Sequence, residues 1–107
     1  KSSVTNLDHS MATVFSTDNP TGFNGNFTVN FTNVPEEGGV MYSATVTVRQ
    51  ANGNGSITSV RVNGQTATVY YNVSSLDPGE FIDAYQFMFY LDGSSWKCMA
   101  TVTYYLS

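Results

Sequence analysis

The chain has 107 residues, the size of one ordinary domain, and only 11% of them are charged, for a net charge of −4. Its only cations are Lys1, Arg49, Arg61 and Lys97, too few and too scattered for phosphate-backbone binding or a polybasic membrane contact. Cys98 is the single cysteine, which excludes an intramolecular disulfide, and no apolar run reaches the length of a membrane span.

Ser, Thr, Asn, Gly and aromatics take the place of charge. The 7 Tyr, 7 Phe and 1 Trp favour half-buried pleated surfaces over helices. Solubility through Ser, Thr and Asn is a habit of particle and extracellular proteins. The lack of disulfides points to a bacterial or viral source rather than a small secreted animal domain. No signal peptide is visible. Opening on Lys1 rather than Met suits a fragment or processed product, and ending at Ser107 directly after a strand pattern suits a C-terminus.

In chain order, residues 1–10 read as an extended or weakly ordered lead-in. Met11 to Ser16 is a candidate strand, and Asp18-Asn19-Pro20-Thr21-Gly22 a turn. Phe27, Val29 and Phe31 then alternate with Thr28, Asn30 and Thr32, which predicts a strand with one inward face. After the Pro35-Glu36-Glu37-Gly38-Gly39 turn, Val40, Tyr42, Ala44, Val46 and Val48 form the inward set of a second strand. A loop over Ala51 to Gly55 precedes a short strand from Ile57 to Val62. Asn63-Gly64 follows, then the alternation of Ala67, Val69, Tyr71 and Val73. Asn-Gly between two alternating runs is a strong hairpin signal, because both turn residues take positive φ. Ser74 to Asp83 reads as an acidic loop. Ala84 to Leu91 is a strand with apolar residues on both faces. Asp92-Gly93-Ser94-Ser95 turns the chain into a last strand with Trp96, Cys98, Ala100, Val102, Tyr104 and Leu106 inward. Neither a repeat nor a linker interrupts residues 1–107. The fold class expected is all-β, a single antiparallel β-sandwich of about seven to eight strands, with immunoglobulin-like and jelly-roll orders both open.

Little in this pattern points to chemistry. Asp8-His9-Ser10 has the residue types of a catalytic triad, but triad members meet in space from distant positions, so a solvated turn is the better reading. Cys98 lies between inward neighbours and reads as a small hydrophobe, with Lys97 on the opposite face. One Cys and one His cannot build a zinc site. Asp77, Glu80 and Asp83 could offer oxygens to calcium, yet match no EF-hand spacing, so they read as a solvated acidic loop. No metal, cofactor or catalytic residue is expected. The Asn-x-Ser/Thr sequons at Asn26, Asn30, Asn54 and Asn72 read mainly as a polar outer face rather than glycosylation sites.

The surplus aromatics and methionines carry the functional reading. Tyr70, Tyr90 and Tyr105, with Met41, Met88 and Met99, fall on faces opposite the main inward sets. Such a stripe is too apolar to stay fully wet. It reads first as a subunit interface, where Tyr and Met are enriched. Second comes core made by sheet twist, and third a platform for sugar rings.

Three motifs stand in order: Asn30-Phe31-Thr32-Asn33-Val34-Pro35, Val60-Arg61-Val62-Asn63-Gly64 and Gly93-Ser94-Ser95-Trp96. With them, the stretch from Asn26 onward resembles C-terminal modules of structural proteins from tailed phages, marine and cyanobacterial phages above all. Where those modules often carry Trp after the hairpin, this chain has Tyr70-Tyr71-Asn72, and its following loop is more acidic. The resemblance implies a non-catalytic virion surface protein, either a fibre terminal domain or a capsid decoration, exposed on the particle and acting by assembly, surface presentation or host attachment. It implies other virion proteins as partners, a homo-oligomer with a trimer favoured, and a host surface glycan as a further contact. Nucleic acid and membrane insertion are not expected. The alternatives are a carbohydrate-binding module of a secreted bacterial protein and an adhesin-type immunoglobulin-like spacer.

Overall fold

A computed structural model describes residues 3–18, 26–50, 55–76 and 81–105. Eight strands run through them: β1 (Ser3–Asp8), β2 (Val14–Asp18), β3 (Phe27–Thr32), β4 (Met41–Arg49), β5 (Ile57–Val62), β6 (Gln65–Tyr71), β7 (Ile82–Asp92) and β8 (Ser95–Tyr105). The described residues include no helix. The turn around Asn19 to Gly22, the loop residues 51–54 and 77–80, and Leu106 lie outside the described residues.

The strands form one eight-stranded sheet in the order β1-β3-β5-β6-β8-β7-β4-β2, curled nearly into a barrel. The sheet is mixed, and this corrects the antiparallel expectation. β1–β3, β3–β5, β2–β4 and β6–β8 pair in parallel, while β4–β7, β5–β6 and β7–β8 are antiparallel. The reason is topological. From β1 to β5 the chain alternates between opposite parts of the sheet, so strands separated by one return in the same direction and pair in parallel. Each intervening strand serves as the crossover that a parallel pair requires. A period-two pattern is the same for either pairing sense and does not reveal it.

The inward sets fill one core. Phe27, Val29, Phe31, Ala44, Val46, Val48, Tyr85, Phe87, Phe89, Trp96, Cys98, Ala100 and Val102 are all buried. Phe31 stacks on Phe89 with centroids 5.0 Å apart and meets Phe87 edge-on at 5.8 Å, which ties β3 to β7 through the interior. β5 breaks its own alternation. Phe27 pairs with Ile57 but Thr28 pairs with Ser59, so Thr58 is an extra residue, a bulge that lets Ile57, Val60 and Val62 all face inward. β6 is the hinge of the sheet: residues 65–67 pair with β5 and residues 68–71 with β8.

Both expected hairpins form. Asn63 and Gly64 take φ of 51° and 80° while Val62 pairs with Gln65, the type I′ arrangement. Gly93 takes φ of 64° and closes the β7–β8 turn between Asp92 and Ser95. The first hairpin is also clasped to the end of β3. Asn63 Nδ2 donates to Val34 O at 2.8 Å, Val34 N donates to Asn63 Oδ1 at 3.1 Å, and Gly64 N donates to Asn30 Oδ1 at 2.9 Å.

Candidate functional site: a tyrosine and methionine face

The side chains of β4, β7, β8 and β6 that point away from the core stand in registered rows. One row runs Met41, Tyr90, Lys97, Thr68, and the next runs Ser43, Met88, Met99, Tyr70. Directly opposite side chains lie about 5 Å apart at Cβ, and diagonal ones about 7–8 Å. Met41, Tyr90, Met88, Met99 and Tyr70 are therefore one contiguous patch. Its members range from Met99 at 39% exposed to Tyr70 at 55%, while Tyr90 is half-buried. The patch runs into an open depression of about 220 Å³ lined by Gly39, Val40, Met41 and Tyr90.

Tyr105 does not belong to it. Tyr105 pairs with Ile82 at the far end of β8, roughly 20 Å from Met99 at the rise of an extended strand. Thr101 and Thr103 stand between them on the same face. Val14 is 68% exposed and in register with Thr45, so it stands beside the polar row Thr45, Gln86, Thr101 and apart from the patch. The candidate strand Met11 to Ser16 overlaps the observed β2, which spans Val14–Asp18.

The outward face of β1, β3 and β5 is of the opposite character. Its rows are Val4, Thr28, Ser59 and then Asn6, Asn30, Arg61. Thr28 Oγ1 bonds Ser59 Oγ, and Asn30 Nδ2 donates to Asn6 Oδ1 at 3.0 Å. This polar ladder also accounts for one sequon, since the Asn30 amide is engaged at both ends. Two others are tied into the backbone: Asn26 Oδ1 accepts from Ser56 N at 3.2 Å and Asn72 Oδ1 from Val102 N at 3.1 Å. Asn54 lies outside the described residues. No known protein family, curated protein or solved structure matches this chain.

The remaining candidate groups are structural in placement. Asp83 is not in a solvated loop. It is the second residue of β7, fully buried, and its Oδ2 accepts from Gln50 Nε2 at 3.1 Å. Strand β7 begins earlier than Ala84, and the alternation that sends Tyr85, Phe87 and Phe89 inward sends Asp83 inward too. Gln50 also brackets Gly55, with bonds of 2.7 and 3.1 Å. Beside them, Ile57 N donates to Tyr85 Oη at 3.1 Å and Tyr71 Oη donates to Ile57 O at 2.9 Å. Burial pushes Tyr71 up to about 12, with Tyr85 and Cys98 adding to the effect. Asp77 and Glu80 lie outside the described residues. Among the described residues no three His, Cys, Asp or Glu side chains gather as metal ligands.

His9 likewise departs from the solvated turn expected of it. It is half-buried, its Nε2 lies 2.9 Å from Ser43 O, and its ring meets Phe31, Tyr42 and Phe89 edge-on at 6.4, 5.9 and 5.6 Å. The β1–β3 pairing carries His9 over the aromatic end of the core. Ser10 Oγ bonds Asp8 Oδ1 at 2.6 Å rather than the imidazole, so the three do not line up as a relay. Ser10 and then Asn33 hold the Asp8 carboxyl below its ordinary value. Cys98 is fully buried, as its inward register implied, and burial pushes its thiol up to about 12.

Proposed function

We propose that this chain is a non-catalytic surface module of a tailed-phage virion, a fibre terminal domain or a capsid decoration, that assembles through its Tyr–Met face and presents the rest of its surface. The observation that carries the reading is sidedness: one outward face is a contiguous Met41, Tyr90, Met88, Met99, Tyr70 patch, and the opposite face is mainly polar, with Thr, Ser, Asn and Arg61 around a single Val4. Two of the segments behind the phage resemblance also form one unit, since Asn30–Pro35 and Val60–Gly64 are joined by the β3–β5 register and the Asn63 clamp on Val34. The finer description as two packed layers bending at β6 belongs to the same reading.

Magnitudes favour a multi-copy contact. Covering the patch removes roughly 500 Å² from water and contributes on the order of 12 kcal/mol gross. Association alone costs about 4–15 kcal/mol. A single such contact is marginal, whereas a closed ring repeats the contact once per protomer.

Size-exclusion chromatography with light scattering tests this. A stable trimer that Met88→Asp converts to monomer supports the assembly role. A monomer with an unperturbed fold refutes it and moves the weight to the runner-up, a carbohydrate-binding module, for which the half-buried Tyr90 beside the apolar depression is the favourable feature and a glycan-binding screen is the measurement.

A further inference from the structure

All four methionines of the chain are exposed. Met99, Met88 and Met41 are 39, 44 and 51% exposed, and Met11, in the turn between β1 and β2, is 80% exposed. None belongs to the core cluster, which Val, Phe, Ala, Ile, Leu, Tyr, Trp and Cys98 fill. This inverts the usual burial of Met. The one other sulfur, Cys98, is fully buried between β7 and β6 and shares its rows with Phe89 and Val69. Thiol oxidation proceeds through the thiolate and needs access, whereas a thioether needs only access. The fold therefore sorts its sulfurs into an exposed, oxidisable set and a protected one.

The exposed set is also clustered. Met88 stands directly opposite Met99 across β7 and β8, and Met41 is diagonal to Met88 across β4 and β7. We propose that Met41, Met88 and Met99 form a peroxide-responsive modification site, at which a hydroperoxide turns the apolar face polar without unfolding the domain. The proposal rests on the reading of this face as the assembly surface and adds its regulation: the free protomer, whose face is uncovered, takes the oxygen, and an oxidised face no longer rejoins the assembly. At each residue a sulfur lone pair attacks the distal peroxide oxygen. An S–O bond forms, the O–O bond breaks with its electron pair going to the departing oxygen, and the proton of the attacked oxygen passes to that oxygen, which leaves as water or an alcohol. The thioether is oxidised by two electrons and the hydroperoxide is reduced by two. Each product is a polar, hydrogen-bond-accepting sulfoxide. Three of them within two adjacent rows leave Tyr70 and Tyr90 as the only large apolar groups of the patch.

The experiment treats the intact protein with hydrogen peroxide at neutral pH. Peptide mass mapping, thermal melting, retention on a hydrophobic-interaction column and solution mass are then read on one sample. The expected result is a gain of about 16 Da at each of Met41, Met88 and Met99, Cys98 recovered as free thiol after denaturation, a retained melting transition, earlier elution, and a solution mass that falls to that of the protomer as exchanging protomers are oxidised. Oxidation of Cys98 at a comparable rate, or loss of the melting transition, overturns selective surface chemistry. Unchanged retention after complete oxidation overturns the polarity switch. An untreated protein that is already monomeric refutes the assembly reading and removes the release step, while mapping and retention still decide the modification site. The triple variant Met41→Leu, Met88→Leu, Met99→Leu keeps the face apolar. It must lose the retention shift while Met11 still gains oxygen, and a persisting shift overturns the assignment to these three residues.

Discussion

Asn63 offers the sharpest test of how this fold is held. Its side chain bonds both polar backbone groups of Val34, which is 4% exposed, and its own φ is 51°. Asn63→Ala removes two hydrogen bonds to a buried peptide unit, each worth about 1 kcal/mol. It also places a Cβ without a compensating side-chain bond in the left-handed region, for about 1 kcal/mol more. The sum is about 3 kcal/mol, a large part of the 5–15 kcal/mol typical of a domain, and corresponds to a fall of roughly 12 °C or more in melting temperature. Asn63→Gly relieves the backbone cost but keeps the lost clamp, so it should cost about 2 kcal/mol. Urea denaturation, with the m-value checked for constancy, measures both. If Asn63→Ala loses under about 1 kcal/mol, or if Asn63→Gly matches the parent, the clamp contributes nothing and the hairpin is held by its strands alone.

Gly64→Val isolates the conformational cost alone, because a Cβ built at Gly64 meets nothing within 4 Å while φ is +80°; a loss of about 1–2 kcal/mol is expected, and an unchanged melting temperature argues against the type I′ turn. Native Cys98 should react slowly with maleimide and rapidly once unfolded, and fast native labelling would place its side chain on the wrong side of β8. Because burial raises the Cys98 thiol from 9.0 to about 12, its neutral form is favoured in the fold; that stability is fully present below pH about 9 and is lost as pH rises towards about 12, so Cys98→Ala should flatten the alkaline arm of the stability profile. Asp83→Ala and Gln50→Ala should each destabilise by about 1–3 kcal/mol and be non-additive by 0.5 kcal/mol or more in a double-mutant cycle; strict additivity would mean that the 3.1 Å contact carries no coupling.

What the sequence made legible was which side chains face the core. The inward sets of β3, β4 and β8 follow period two, because each strand mainly buries one face, except that Val40, expected inward, precedes β4 and is 38% exposed, and Thr28, expected outward, is buried. Both hairpins were readable from Asn63-Gly64 and Gly93, where positive φ selects the residue type. Three features were not readable, each for a physical reason. Parallel pairing leaves no mark on alternation. The Thr58 bulge changes phase inside a six-residue strand, too short for a period to be measured twice. Asp83 and His9 were judged by polarity, yet their burial is decided by long-range partners, Gln50 for one and Ser43 with three aromatic rings for the other. Of the six residues proposed as a surface, Tyr105 separates from the rest because outward direction is a local property, whereas adjacency depends on the β7–β8 register.

The composition of the Tyr–Met face is itself an argument about use. The fold does not require it: the inward residues of β4, β7 and β8 already fill the core, and the neighbouring outward rows manage with Thr45, Gln86 and Thr101, then Thr47, Ala84 and Thr103. Thr at positions 88 and 99 would suit an exposed strand better than Met, since β-branched side chains fit the pleated surface and Met does not gain from being wet. Leaving five large apolar groups in contact carries a solubility cost in a chain with so little charge. Cross-strand pairs such as Met88–Met99 contribute only about 0.2–1 kcal/mol to the sheet, a small return for a surface that risks aggregation unless something covers it. On the opposite side, the Thr28–Ser59 and Asn6–Asn30 pairs satisfy one another and leave no large apolar group there but Val4. The division of one small sheet into an apolar outward face and a mainly polar one is what carries the proposal of an assembling, surface-presenting module.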